Sequence, residues 1–165
     1  MSGTYTVVRT LGRADAAHDI LEELPEWFGI DRFTHEYVDA AARFPNYLAV
    51  ASPSVGADGG AVPADDVLGV LLLDQRYPTS AEVHLLAVRR KHHRSGIGRA
   101  LVRRVEDDLR GQGVRLLSVK TLGPSAHDPS FDQTRAFYGA CGFHPVEEFP
   151  DLWADDPCLL MVKPL

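Results

Sequence analysis

Cysteine is scarce in this chain, with Cys141 and Cys158 the two it has among 165 residues. They show no Cys-x-x-Cys spacing, and neither stands at metal-finger distance from a histidine, which argues against a zinc finger. Both sit among apolar residues and read as buried free thiols of a reducing cytoplasm. No apolar run is long enough to cross a membrane. The first twenty residues carry Arg9, Arg13, Asp15 and Asp19 and hold no apolar signal core. Net positive charge is also missing: the balance is −6, against the usual non-specific nucleic-acid binder. There is no internal repeat and no heptad run. These absences leave a soluble, cytoplasmic globular protein, and its length suits one domain, residues 1–165, with a sizeable core. Hydrophobic residues make up 45% and charged residues 24%, a globular balance that disfavours general disorder.

Periodicity gives the order of elements. Tyr5 to Leu11 alternates as a first strand. Residues 13–24 and 31–44 carry helical apolar spacing, ended by Pro25 and Pro45. Tyr47 to Ala51 is a strand. Residues 52–66, rich in Gly, Pro, Ala and Asp, form a loop. Val67 to Gln75 and residues 81–88 are strands, followed by a helix over 97–110 with Ile97, Leu101, Val105 and Leu109 as its buried stripe. Val114 to Leu122 has the apolar centre of an inner strand. A Pro, Ser and Asp loop spans 123–132, then a helix from Gln133 to Cys141. Strands Phe143 to Phe149 and Cys158 to Lys163 flank an acidic loop, Pro150 to Pro157. The order β α α β β β α β α β β is that of an α/β or α+β fold on a single sheet.

The densest chemistry lies between Val88 and Val102. The apolar run ending at Val88 meets Arg89, Arg90, Lys91, His92, His93 and Arg94, then Ser95-Gly96-Ile97-Gly98 and a helix. A strand, a cationic glycine turn and a helix build an anion cradle. The first N–H groups of a helix lack intrahelical partners, the helix end carries roughly half a positive charge, and glycine permits close backbone approach. Six clustered cations would also repel one another unless an anion were present. A dinucleotide fingerprint is excluded, because Leu101 stands where its third glycine belongs. A triphosphate loop is excluded by the missing Gly-Lys-Ser/Thr. His92 and His93 are adjacent, and no His-x-x-x-His occurs, so no metal is expected.

Downstream stands Phe137-Tyr138-Gly139-Ala140-Cys141-Gly142-Phe143. Core packing accounts for Phe137 and Phe143. Tyr138 lies about 100° from Phe137 around a helix and need not share its environment. Together the two segments resemble the GNAT superfamily of acyl-CoA-dependent N-acyltransferases. Its acyl-CoA loop, Arg/Gln-x-x-Gly-x-Gly/Ala, is similar to His93-Arg94-Ser95-Gly96-Ile97-Gly98, with histidine where Arg or Gln is usual. Its second signature, Phe-Tyr then Gly-Phe, matches Phe137-Tyr138 and Gly142-Phe143. The asparagine often found at the start of that helix is not evident, Phe131 occupying the nearest equivalent place, which leaves one pantetheine contact of the family unassigned.

The resemblance implies a single mixed, mostly antiparallel twisted sheet of roughly six to seven strands with about four helices. It implies direct transfer of acetyl from acetyl-CoA to an amine in a ternary complex, with no metal. Leu86, Ala87 and Val88, then His93 through Arg99, would bind the cofactor, and the Val88 amide would meet the acyl oxygen. Tyr138 matches the position of the acid that protonates the leaving thiolate. An alkylamine has a pKa near about 10.4, so freeing its lone pair at pH 7 costs about 4–5 kcal/mol and a base is useful. Period-two geometry puts Glu82, His84, Leu86 and Val88 on one strand face, and Glu82 and His84 form a plausible base or proton wire. Cys141 has no Cys-His arrangement and is not read as a nucleophile.

The acceptor side is read from Trp27, Phe28, Phe33 and Tyr37, and from Glu147, Glu148, Asp151, Asp155 and Asp156 around Trp153, a wall suited to a cationic amine. The partner expected is a small-molecule or peptide amine, with no nucleic acid, no membrane, and a homodimer left open. A rival reading, a catalytically silent acyl-CoA-binding sensor, would keep Gly96 and Gly98 but need neither Tyr138 nor Glu82.

Overall fold

The computed structural model describes residues 4–29, 31–52 and 62–165. Among these residues run β1 (Tyr5–Thr10), α1 (Ala14–Glu22), α2 (Pro25–Phe28), α3 (Asp31–Arg43), β2 (Asn46–Ala51), β3 (Val67–Tyr77), β4 (Ser80–Val88), α4 (Ile97–Gly111), β5 (Leu116–Leu122), α5 (Pro129–Ala140), β6 (His144–Trp153) and β7 (Asp156–Pro164). The strands hydrogen-bond in the order β1-β2-β3-β4-β5-β7-β6. Pairs β1–β2, β2–β3, β5–β7 and β6–β7 are antiparallel, whereas β4–β5 is parallel. The mixed, mostly antiparallel sheet expected from sequence is present. The loop expected at 52–66 falls largely outside the described residues, apart from a short 3₁₀ turn at Ala64–Asp66.

The chain divides into two compact units. The first comprises Met1–Asp74 and Leu85–Val105. Its core joins Ala17, Ile20 and Leu21 of α1 to Ala40 and Ala41 of α3 and to Leu48, Val70, Leu72 and Leu85 of the strands. The small alanines are what let both helices pack close to the strands. The second comprises Gln75–His84 and Glu106–Leu165. Its core includes Val83, Leu109, Leu117, Val119, Phe143, Leu159 and Met161. Glu106, at 4% exposure, is paired there by Lys163, which also donates to the Cys141 carbonyl at 2.6 Å.

Four expectations are corrected. Pro25 does not end the first helix; it opens α2, because a proline at the first helical position loses no hydrogen bond. Helix α5 begins at Pro129, not Gln133. Asp128 caps it, its carboxylate accepting from the Ser130 N–H at 2.8 Å, and the Asp-Pro pair was masked by loop-like composition. The acidic loop at 150–157 is instead mostly ladder, since β6 runs to Trp153, β7 starts at Asp156, and the turn is held by Ala154 at φ 52°. Phe137 and Cys141 are only half-buried, and of the expected buried thiols Cys158 alone is fully enclosed.

Candidate active site

The exit of β4 is anchored inward before it reaches the glycine turn. Arg89 is 7% exposed. Its guanidinium donates to the carbonyls of Val67 at 2.7 Å and Ala64 at 3.0 Å, and pairs with Glu23. Its own N–H donates to the Leu68 carbonyl at 2.9 Å. Arg90 pairs with Glu26 and donates to the Glu23 carbonyl at 2.9 Å. Burial first, then the neighbouring Lys91 and Arg89 cations, pushes the His92 imidazole below its ordinary value. The six clustered cations, expected to repel one another unless an anion were present, are partly matched by carboxylates of the chain itself. Two are neutralised by carboxylates at the end of α1 and in α2, and a third is biased towards its neutral form.

Arg89→Met should destabilise the fold by about 2–3 kcal/mol, because two carbonyls and Glu23 lose their donor while Glu23 keeps partial solvent access. Denaturant melts check this, and an unchanged midpoint contradicts it.

His93 does not reach forward as an anion-binding Arg or Gln would. Its Nε2–H donates to the Val88 carbonyl at 2.8 Å, and its ring meets Trp27 edge-on at 5.9 Å. The turn that follows is left-handed at Arg94 (φ 60°) and Gly96 (φ 87°). A Cβ at Gly96 would find the Tyr5 hydroxyl, at 3.9 Å, as its nearest contact, so the backbone rather than packing selects glycine here. Ile97, 2% exposed, plugs the start of α4 into the core. It can do so because Gly69 of β3 lacks a side chain: a Cβ there would stand 3.0 Å from Ile97 Cγ2 and 3.2 Å from the Ala87 carbonyl. The N–H groups of Ile97, Gly98 and Arg99 open α4 and have no acceptor within it. Arg94 and Arg99 are exposed. This donor set, with two exposed guanidiniums, fits a pyrophosphate.

Strand β4 alternates between buried and half-open positions, with Glu82, His84, Leu86 and Val88 all half-open and Leu85 and Ala87 buried. The face expected from period two is therefore real. In the second unit β4 pairs with β5 from Ser80–Leu116 to Val83–Val119. Register places Glu82 beside Ser118, so Ser118 and Lys120 share its face. The Lys120 ammonium pairs with Glu82 Oε2. Sequence reasoning missed Lys120; the signal available was its parity with Ser118 and its being the charged residue of β5. Cys158 lies on β7 within the field of this pair, and burial pushes its thiol up, opposed by Lys120 and reinforced by Glu82. The thiol thus stays protonated and is no nucleophile.

Tyr138 is 5% exposed on α5. Its ring contacts Phe137 at 5.3 Å and Phe143 at 5.5 Å, both edge-on. The two neighbours on the helix, which need not share an environment, are in ring contact. Aromatic packing holds the phenol ring from two sides.

The aromatic set of the acceptor reading belongs to the first unit, where Phe28 meets Tyr37 edge-on at 5.7 Å, Trp27 meets His93, and Phe33 is half-buried. The acidic set belongs to the second unit. Glu147, Asp151 and Asp155 are exposed, Asp156 is half-buried and pairs with Trp153 in the ladder, and Glu148 is committed elsewhere. It accepts from the Ser125 hydroxyl and from the Ser125 N–H at 3.2 Å. No group of three or more His, Cys, Asp and Glu placed to hold a metal occurs among the described residues.

The model of the acetyltransferase (GNAT) family matches residues 17–143. Among curated proteins none matches the chain in sequence. Solved structures share its fold at low identity. A GNAT family acetyltransferase from Elizabethkingia anophelis, with acetyl-CoA bound, gives a TM-score of 0.68 at 16% identity, over 98% of each chain. The ribosomal-protein-S18-alanine N-acetyltransferase from Escherichia coli gives 0.71 at 17% identity, over 98% of this chain and 94% of that one. The aminoglycoside 6'-N-acetyltransferase from Enterococcus faecium gives 0.67 at 18% identity, over 96% of each.

Proposed function

The chain belongs to the GNAT family of acetyltransferases, and on that premise we propose that residues 1–165 form one domain that acetylates a primary amine of a small molecule or peptide by direct attack in a ternary complex. The observation that carries this reading is strand β4: its half-open face bears Glu82 and His84, and the same strand runs on into the Gly96 turn at the head of α4. A silent binding module would need the turn alone.

Members of this family use acetyl-CoA. When bound, acetyl-CoA supplies the thioester carbonyl carbon, to which the amine nitrogen bonds as the carbon–sulfur bond breaks. The N–H groups of Ile97, Gly98 and Arg99 hold its pyrophosphate, with the Arg94 and Arg99 guanidiniums adding charge. Backbone groups of Leu86, Ala87 and Val88 on β4 bind the pantetheine arm. The Val88 N–H donates to the acyl oxygen as it gains charge. His93 fixes the next peptide by holding the Val88 carbonyl, so its departure from Arg or Gln exchanges a phosphate contact for local rigidity. Glu82 Oε1 accepts the ammonium proton that the amine must lose, with His84 two residues along the same face as the relay. The Tyr138 hydroxyl returns a proton to the departing sulfur.

Acetyl-CoA should raise the melting temperature by roughly 5–10 °C when present at about 100 times its Kd. A flat melting temperature at about millimolar acetyl-CoA would remove the cofactor assignment.

A further inference from the structure

We propose that Lys120 is a positioning residue for Glu82, the base named above, on which this inference rests. The two side chains rise from adjacent parallel strands on one half-open face, Glu82 25% and Lys120 32% exposed. The contact is to Oε2, which leaves Oε1 as the oxygen that takes the proton. Without a second anchor, a glutamate on a half-open face samples several rotamers. Three staggered choices at each sp³ torsion separate its carboxylate positions by ångströms. General-base catalysis needs the acceptor oxygen within hydrogen-bond reach of the proton it removes.

The surroundings assign this task to Lys120. On β4 the nearest titratable group of the same face is His84, two residues further on. On β5 it is Lys120 itself, flanked by the Ser118 hydroxyl, which donates to the Ala81 carbonyl at 3.4 Å. On β7 it is the Cys158 thiol, fully buried and held protonated. Lys120 is the cation of this group, and Glu82 is the carboxylate it meets. A solvated surface pair would be worth little to stability; this one sits on the strand that carries the proposed chemistry, so its value is in orientation.

The test uses the full chain and thiol release from acetyl-CoA, with kanamycin, spermidine and an alanine-terminated peptide as acceptors, read on whichever the wild type acetylates fastest. Lys120→Met should lower kcat about 10-fold, with KM for acetyl-CoA within about twofold, and should change the shape of the pH–kcat profile. Lys120→Arg keeps the charge and the reach and should restore kcat to within about threefold, a rescue that a packing role would not give. Wild-type kcat and profile in Lys120→Met, alongside a large loss in Glu82→Gln, overturns the positioning role and leaves the base in place. Wild-type turnover in Glu82→Gln removes the base, and the positioning role falls with it. Circular dichroism melts of each variant separate these outcomes from misfolding.

Discussion

Tyr138→Phe lowers kcat about 100-fold while leaving the Kd for acetyl-CoA unchanged. The expectation rests on the difference between the two residues, one hydroxyl on a ring whose packing is otherwise the same. The ring is gripped edge-on by Phe137 and Phe143, and phenylalanine keeps both contacts. The group removed is the one proposed to give its proton to the departing sulfur. An alkylthiolate with a conjugate pKa near about 8.5 leaves slowly when nothing meets its charge. The loss therefore belongs to kcat, and isothermal titration with acetyl-CoA should give matching curves for the two proteins. Equal turnover would return Tyr138 to the core as a packing residue.

Glu82→Gln gives the second large effect, again about 100-fold in kcat. It also changes the shape of the pH profile. Glutamine removes the acceptor for the proton the amine must lose, so the variant keeps only the rise in turnover that follows the amine's own deprotonation. The sign is fixed by the direction of the proton: loss of a base removes activity gained on raising pH, never activity gained on lowering it. A profile of unchanged shape assigns the proton to His84 or to water.

The fold was legible in the sequence because its signals are periodic. Ile97, Leu101, Val105 and Leu109 fall at 2%, 0%, 0% and 0% exposure, as a 3.6-residue stripe requires. The alternation of β4 is equally plain. Errors came where one residue type serves two purposes. Pro25 can stop a helix or start one, and Asp128-Pro129 reads as loop until its cap is seen. Acidic residues around Trp153 suggested solvated coil, yet they decorate two paired strands of a hairpin.

The site was legible in part. The glycine turn could be read because Gly96 must adopt a positive φ and Gly98 lies in the first turn of α4, both local requirements. The partners of Arg89 could not be read. Glu23 is 66 residues away in sequence, and nothing at either position announces the other. Lys120 lies 38 residues from Glu82 and is joined to it only through strand register. The sequence counts cations and cannot show which are already matched, so the turn looked far more positive than it is. Gly69 also went unnoticed, since its role is to leave room for Ile97 from another strand.

The central claim is acetyl transfer from acetyl-CoA to an amine nitrogen. Its most direct measurement follows free thiol release and acceptor mass together, with purified protein, acetyl-CoA and a panel of aminoglycosides, polyamines, amino acids and peptides. The account predicts that at least one amine gains a single acetyl group for each CoA released, and that Tyr138→Phe slows both signals equally. Tight acetyl-CoA binding with no acetylated amine and no CoA release across that panel would contradict it, and would mark the chain as a binding module that keeps the Gly96 turn without the chemistry.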